Sequence, residues 1–479
     1  MAINPNQGFM KKLLPLIVSF VTLFSLAQTP CESGFAGSFP CSGFDLLSQI
    51  PLSAMNSTRA NDSWGWTDPQ DGKEYAIICL NEGTAFIDIS DPLNPIYLGK
   101  LPTQNNSSTW RDAKTYNNYV FIVSEDSGHG IQIFDLTRLR NVVNPPEIFT
   151  EDAHYSGFGG AHNIAINEES GYAYGLGTNT HNGGPHFVNI QNPLNPIGEG
   201  GYAGEGYSHD AQVVIYNGPD TDYTGREILF GSNTNEVVIV DVTDKTNPQT
   251  IATIDYSNVS YTHQGWLTED HRYFLLGDEA DEINLGFFTR TIIFDFNDLD
   301  NPEFHFEYFG PTHATDHNGY VVGDKFYLSN NAAGLRVIDI ADIAQGTMSE
   351  IGFFDSYTSD NNSGYTGAWN VYPFFESGNI VISDRNEGFL LVKPSLLAVD
   401  GFNFENGLSI LPNPASDYVS ITSKNAKLLT IVIVDVLGRL IYTETNINSE
   451  SKTIDMSAFT KGLYFLTINN SITKKIIKK

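Results

Sequence analysis

Short apolar runs ending on or beside a polar residue recur along most of this chain. They read Gly83-Thr-Ala-Phe-Ile-Asp88, His129-Gly-Ile-Gln-Ile-Phe-Asp135, Gly184-Pro-His-Phe-Val-Asn189, Glu236-Val-Val-Ile-Val-Asp241, Arg290-Thr-Ile-Ile-Phe-Asp295, Gly334-Leu-Arg-Val-Ile-Asp339 and Gly388-Phe-Leu-Leu-Val-Lys393. Their last residues fall 44 to 54 positions apart. Runs of this length, rich in strand formers and bounded by turn residues, are strands, and seven of them at such a period predict the blades of a β-propeller. Each unit has room for four strands. Around Asp241 the pattern places them at 209–215, 227–231, 237–242 and 250–256.

Turn chemistry supports this division. Asp91-Pro-Leu-Asn-Pro95, Asn192-Pro-Leu-Asn-Pro196, Asp244-Lys-Thr-Asn-Pro248 and Asp298-Leu-Asp-Asn-Pro302 follow the third strands. Proline fixes φ there, and Asx side chains bond the local backbone. The seventh unit runs out after Val392 without a fourth strand. The segment Asp45-Leu-Leu-Ser-Gln-Ile-Pro51, which precedes the first unit, is expected to supply that strand and close the ring, leaving only short protected edges.

The fold expected is therefore all-β, a seven-bladed β-propeller followed by a small C-terminal β-sandwich. The ranges are 1–27 for a signal peptide, 28–397 for the propeller, 398–406 for a linker and 407–479 for the C-terminal domain. Lys11-Lys12, the apolar run from Leu13 to Phe24 and Ser25-Leu26-Ala27 form a secretory leader, too short for a retained span. No other apolar run is long enough to cross a bilayer as a helix, so no transmembrane segment is expected in the mature protein. In an exported chain Cys31 and Cys41 pair as a disulfide, whereas Cys79 sits in an apolar strand as a small buried residue.

The formal net charge is −30, from 56 acidic and 26 basic residues. A body this acidic repels phosphate backbones, which excludes nucleic acid as a partner and favours cations, sugars and basic surfaces.

Candidate chemistry emerges when the units are aligned on their third strands. One column, near the start of each first strand, holds Trp64, Arg111, His162, His209, His263, His317 and Trp369. The next holds Gly65, Asp112, Asn163, Asp210, Gln264, Asn318 and Asn370. First strands line a propeller's channel, so His162, His209, His263 and His317 are expected to face one another at its mouth, with Asp112 and Asp210 beside them. The turns after the second strands bring Glu125-Asp126, Asp278, Glu279 and Asp384 to the same face. Converging imidazoles can hold a transition metal or exchange protons near neutral pH. A histidine that starts an inner strand can equally bond a neighbouring blade, and repetition copies structural residues as readily as functional ones.

A second candidate is the loop Gly218-Pro-Asp-Thr-Asp-Tyr-Thr-Gly225, where Asp220, Asp222 and the following Glu227 offer alternate oxygens to calcium. The twelfth-position glutamate of an EF-hand loop is missing, and an acidic surface hairpin accounts for the same residues. No serine-nucleophile motif, phosphate loop or paired-cysteine metal spacing stands out.

From Cys31 to about Pro394 the chain resembles the choice-of-anchor B family of exported bacterial proteins, built of LVIVD-type repeats. The likeness is carried by Ser63-Trp-Gly-Trp-Thr-Asp68, Trp110-Arg-Asp112, Ala161-His-Asn163, Gly206-Tyr-Ser-His-Asp-Ala-Gln212, Tyr261-Thr-His-Gln-Gly-Trp-Leu-Thr-Glu-Asp270, Asp316-His-Asn318 and Gly367-Ala-Trp-Asn370. The resemblance implies a surface-displayed propeller with interchangeable anchors and no settled activity. Leu411-Pro-Asn-Pro-Ala-Ser-Asp417, Val434-Asp-Val-Leu-Gly-Arg-Leu-Ile-Tyr442, Lys461-Gly-Leu-Tyr-Phe465 and the basic end Lys474 to Lys479 resemble a type IX secretion sorting domain of type A, as found in Bacteroidetes. That likeness implies the type IX machinery as partner, passage across both membranes, and a secreted or cell-surface location.

Two functions follow. One is a binding module for a glycan, peptide or protein, suggested by export, acidity and Trp64, Trp66, Trp110, Trp266 and Trp369 near inner-strand starts. The other is a metal-dependent hydrolase or oxidase with a His and carboxylate site in the channel. Fold alone does not choose between them.

Overall fold

The computed structural model describes residues 28–395, 408–423, 427–436, 438–445, 447–469 and 472–479. The expected leader, 1–27, and the linker, 398–406, lie outside the described residues. Between residues 44 and 394 the chain forms seven sheets, each with four antiparallel strands at its centre, which fixes the architecture as a β-propeller. The unit around Asp241 shows the plan: Asp210–Ile215, Glu227–Ser232, Val237–Asp241 and Gln249–Ile254, each paired with the next. Its two middle strands are buried along their whole length, whereas the outer strand is mostly exposed or half-buried. Sheets packed on both faces therefore explain the unbroken apolar runs, in which the usual period-two alternation is lost.

The core lies between sheets. Phe86 and Phe134, from the first and second, stack with ring centroids 4.8 Å apart, and Phe230, Phe274 and Phe296 fill the space between the fourth and fifth. The inner strand of each sheet contacts that of the next, and Ala368–Tyr372 returns to Ala60–Thr67 to complete the ring. In the proline turns the aspartates bond the backbone two residues on: Asp91 accepts from the Leu93 N–H at 3.2 Å, and Asp244 from that of Thr246 at 3.0 Å.

The seventh sheet comprises Ala368–Tyr372, Ile380–Asp384, Gly388–Pro394 and, from the other end of the chain, Phe44–Ile50. Phe44, Leu47 and Ile50 of that strand are buried, each contributing roughly 1.5–3 kcal/mol. Just before it, Cys31 and Cys41 form a disulfide, and Phe39–Ser42 pairs with the outer strand Ser349–Phe354 of the sixth sheet. One N-terminal segment thus fastens the sixth and seventh sheets together. Cys79 is buried, which pushes its thiol pKa up.

The second sheet departs from the plan. Its outer strand is the short Ala153–Tyr155, while Glu147–Ile148 adds in parallel to Ile96–Pro102 of the first sheet. Gly99 makes this possible, because a Cβ there would meet the Glu147 carbonyl oxygen at 2.0 Å.

Toward the C-terminus are a three-stranded sheet, with Tyr418–Ser423 between Leu408–Leu411 and Ser451–Asp455, and a four-stranded sheet ordered Leu440–Glu444, Ile431–Asp435, Gly462–Ile468, Ile472–Lys478. Val419, Ile421 and Ile454 of the first join Ile431, Ile433 and Leu466 of the second in one buried cluster.

Candidate functional site

Each channel histidine is set by the backbone of its own blade. The N–H groups of His162, His209 and His317 donate to the carbonyls of Leu176, Ser232 and Ser329, the last residues of their second strands, at 2.8, 2.9 and 2.9 Å. His263 reaches the same level as the extra residue of a β-bulge between Thr262 and Gln264. The four rings form a curved stack of tilted rings, planes inclined 43–51° to one another, with centroids 4.2 Å apart from His162 to His209, 4.4 Å to His263 and 4.5 Å to His317. Trp369 continues the stack at 4.2 Å.

The polar partners differ along this stack. His162 Nδ1 lies 2.6 Å from Glu125 Oε1, and His209 Nδ1 lies 3.0 Å from the His263 carbonyl and donates to it. The backbones of His317 and Trp369 pull on the rings of His263 and His317 in the same direction, yet the Nδ1 atoms of these two rings close no hydrogen bond. Burial, and then the neighbouring imidazoles, push His209, His263 and His317 well below the usual histidine range, so these rings are neutral.

Glu279 stands over the end of the stack. Its Oε1 is 3.7 Å from His263 Nε2 and 3.5 Å from His317 Nε2. Burial, followed by the charge of Asp278, pushes its carboxyl up to about 8, against the opposing pull of Arg385. Asp278 itself faces away, accepting from the Ser260 and Tyr261 N–H groups at 2.7 Å each and from the Tyr256 hydroxyl at 2.9 Å. It braces the loop and leaves Glu279 to the mouth.

Above the stack lies a cavity of about 260 Å³, lined by the four histidines, Glu279, Trp110, Tyr261, Tyr365, Trp369 and Arg385. Trp110 and Tyr365 are 43% and 42% exposed, so their faces form a rim open to solvent. The Arg385 guanidinium lies 4.6 Å from the Trp369 ring centre, with its Nε unpartnered. A larger cavity of about 350 Å³ occupies the other end of the channel, among Trp64, Trp266, Tyr320, Tyr372 and Phe374. Those rings pack mainly on one another beside Lys114, Glu168 and Asp210, whereas four imidazoles, a carboxylate and a guanidinium converge at the mouth, which is where chemistry or recognition is best supplied.

Several expected positions lie elsewhere. Neither Asp112 nor Asp210 bonds an imidazole among the described contacts, because successive residues of a strand point to opposite sides. Asp112 accepts from Lys114 Nζ and the Ala113 N–H, each at 2.6 Å, and from the Ile164 N–H of the next blade at 3.0 Å. Asp210 lines the larger cavity, where burial pushes it up to about 7. Arg111 is taken up between two blades, donating to His129 Nε2 of its own at 3.0 Å and to Thr103, just after the outer strand of the first, at 2.5 Å. Trp64 is also displaced from the level assigned to it. A bulge between Ala60 and Ser63 puts Asn61 beside Arg111 and carries Trp64 deeper, with the Lys114 ammonium 4.5 Å from its ring centre.

The calcium grouping comes apart. Asp220 caps its own turn through the Asp222 N–H and accepts from the Leu299 N–H at 2.9 Å. Asp298 and Asp300 stand beside it, whereas Asp222 is exposed. Glu227 starts a buried strand and is saturated by Lys245, Tyr174, Ser170 and Asn167. It has no oxygen to offer that loop.

Tyr365 and Arg385 were missing from the sequence-derived set. Arg385 had a readable signal, since it follows the second strand of its sheet as Glu125 and Glu279 follow theirs, and those two meet the channel histidines. Tyr365 lies in an irregular loop and carries no periodic signal.

Among solved structures, similar folds include a protein from Lactobacillus plantarum (12% identity, TM-score 0.45, covering 78% of this chain and 95% of that one). The Myceliophteria thermophila Cps50 (Swd1) β-propeller domain is 10% identical, with TM-score 0.46 and coverage of 73% and 99%. Kuenenia stuttgartiensis hydrazine synthase is 11% identical, with TM-score 0.48 and coverage of 71% and 96%. A search of curated proteins gave no match. Residues 409–479 match the secretion system C-terminal sorting domain, which implies handling by the type IX secretion machinery and export to the cell surface or extracellular space.

Proposed function

We propose that this chain is an exported seven-bladed propeller, residues 28–397, closed by its N-terminal strand and followed by a β-sandwich sorting domain, residues 407–479. Its role is that of a binding module, and the histidine mouth takes an extracellular glycan. The likeness to choice-of-anchor B proteins supports surface display. The observation that carries the ligand reading is the mouth itself, a cavity of about 260 Å³ with solvent-open Trp110 and Tyr365 faces above neutral imidazoles. Aromatic faces stack on sugar rings, and the Nε2 atoms of His263 and His317, turned toward Glu279 at the mouth, supply polar groups for hydroxyls.

A glycan array probed with the purified protein tests this reading. Binding to a defined set of neutral glycans, lost in Trp110→Ala and Tyr365→Ala, is the expected result. Blank arrays, or binding unchanged in both variants, would refute it. The alternative reading, a metal-dependent hydrolase or oxidase, is favoured by one specific observation, the convergence of His263, His317 and Glu279.

A further inference from the structure

We propose that His263, His317 and Glu279 bind one divalent transition-metal ion of the zinc class, with its remaining coordination position open to the mouth cavity. The Nε2 atoms of His263 and His317 lie 3.7 and 3.5 Å from one carboxylate oxygen of Glu279, and all three atoms fall within 4.8 Å of one another. These separations exceed those of a charge-assisted hydrogen bond, about 2.7–2.9 Å. They match two ligands sharing a metal, because metal–ligand bonds of about 2.1 Å at the tetrahedral angle put the ligand atoms about 3.4 Å apart. The trio is spaced for an ion between its members.

The surrounding groups reinforce the assignment. His263 and His317 are 2% and 4% exposed, so their rings are held by packing. His162 and His209 hold Glu125 and the His263 carbonyl through Nδ1, and among the described residues neither joins the group of ligand atoms around Glu279. Two imidazole nitrogens and one carboxylate oxygen suit zinc-class ions, whereas calcium takes six to eight oxygens. Three protein ligands with an open fourth position are the arrangement of metal sites that bind exogenous groups. Arg385 is the cation that acts on Glu279, and its charge opposes a dication there. Removing that charge is therefore a test that a merely structural cluster would fail. The proposal does not rest on the glycan reading: blank arrays leave metal content untouched, and absence of metal leaves the array result untouched.

The untagged full-length protein is to be titrated with Zn(II) and, separately, Co(II), with elemental analysis after desalting and visible absorption of the cobalt form. One equivalent per chain and tetrahedral cobalt bands are expected. His263→Ala and Glu279→Gln should each weaken binding by at least about a hundredfold, beyond what loss of an outer partner costs. Arg385→Gln should tighten it severalfold, and His162→Ala should leave the stoichiometry at one. Glu279→Gln, isosteric at the mouth, keeps the test valid where a histidine variant fails to fold. Substoichiometric metal, absent cobalt bands, or full retention of the ion in Glu279→Gln and His263→Ala would overturn the proposal.

Discussion

Glu227 provides a quantitative test of how the blades are held together. It is a structural clasp between the third and fourth sheets rather than a cation ligand. Its Oε2 accepts from the Lys245 ammonium at 2.6 Å, and its Oε1 from the Tyr174 and Ser170 hydroxyls at 2.6 Å each and the Asn167 amide at 2.8 Å. Glu227 and Lys245 are 4% and 8% exposed. Substituting Glu227→Ala leaves that ammonium with the Val242 carbonyl at 2.7 Å and the face of Tyr172, with no countercharge in contact, and strands three neutral donors. Removing one partner of a buried ion pair costs about 3–5 kcal/mol. Some of the stranded donors will find water, so the expected loss is about 4 kcal/mol. Urea denaturation followed by tryptophan fluorescence measures it. Glu227→Ala with Lys245→Met should recover at least about 1 kcal/mol, because residues in one ion-pair network are coupled. A loss below about 1 kcal/mol, or a single-variant defect repaired by added calcium, would refute the clasp.

Three further outcomes are expected. Asp210→Asn should stabilise the protein at pH 8 by an amount on the order of 2–4 kcal/mol and do little at pH 4. The folded pKa, raised to about 7, means that stability present below pH 3.8 is lost as pH rises through 7, and an equal melting-temperature change at both pH values would contradict this. Deleting residues 28–50 removes the fourth strand of the seventh sheet and should lower the melting temperature of the whole ring in one cooperative step, whereas an unchanged melt would show that closure contributes nothing. Deleting 409–479 should trap the propeller inside the cell, and mass spectrometry of the secreted wild-type protein should lack those peptides; an intact Lys479 terminus outside the cell would count against processing of the tail.

The propeller was readable because its middle strands are covered on both faces, so that Val237–Asp241 and its counterparts stand out as unbroken apolar runs between Asx and proline turns. Strand ends in the fourth unit fell within one or two residues of those read from the pattern. What counting could not see was backbone irregularity. The bulge before Ser63 moves Trp64 off the expected level, and another bulge is what brings His263 onto it. Side-chain direction was equally hidden. Glu227 lies close in sequence to Asp220 and Asp222, yet opening a buried strand turns it toward Lys245. Asp278 and Glu279 are neighbours with opposite duties, one bonded to backbone N–H groups and the other facing two imidazoles. Tyr365 reaches the mouth from a loop, where neither period nor turn chemistry reports position.

The central claim is that the histidine mouth, and not the aromatic cavity at the opposite end of the channel, is where this exported propeller meets its ligand. A crystal structure of the protein soaked with the glycan that binds most strongly on the array tests it most directly. The account predicts density for a sugar ring against Trp110 or Tyr365, with hydroxyl contacts to His263, His317 or Arg385. Density among Trp64, Trp266 and Tyr320, or on the outer edge of a blade, would contradict it.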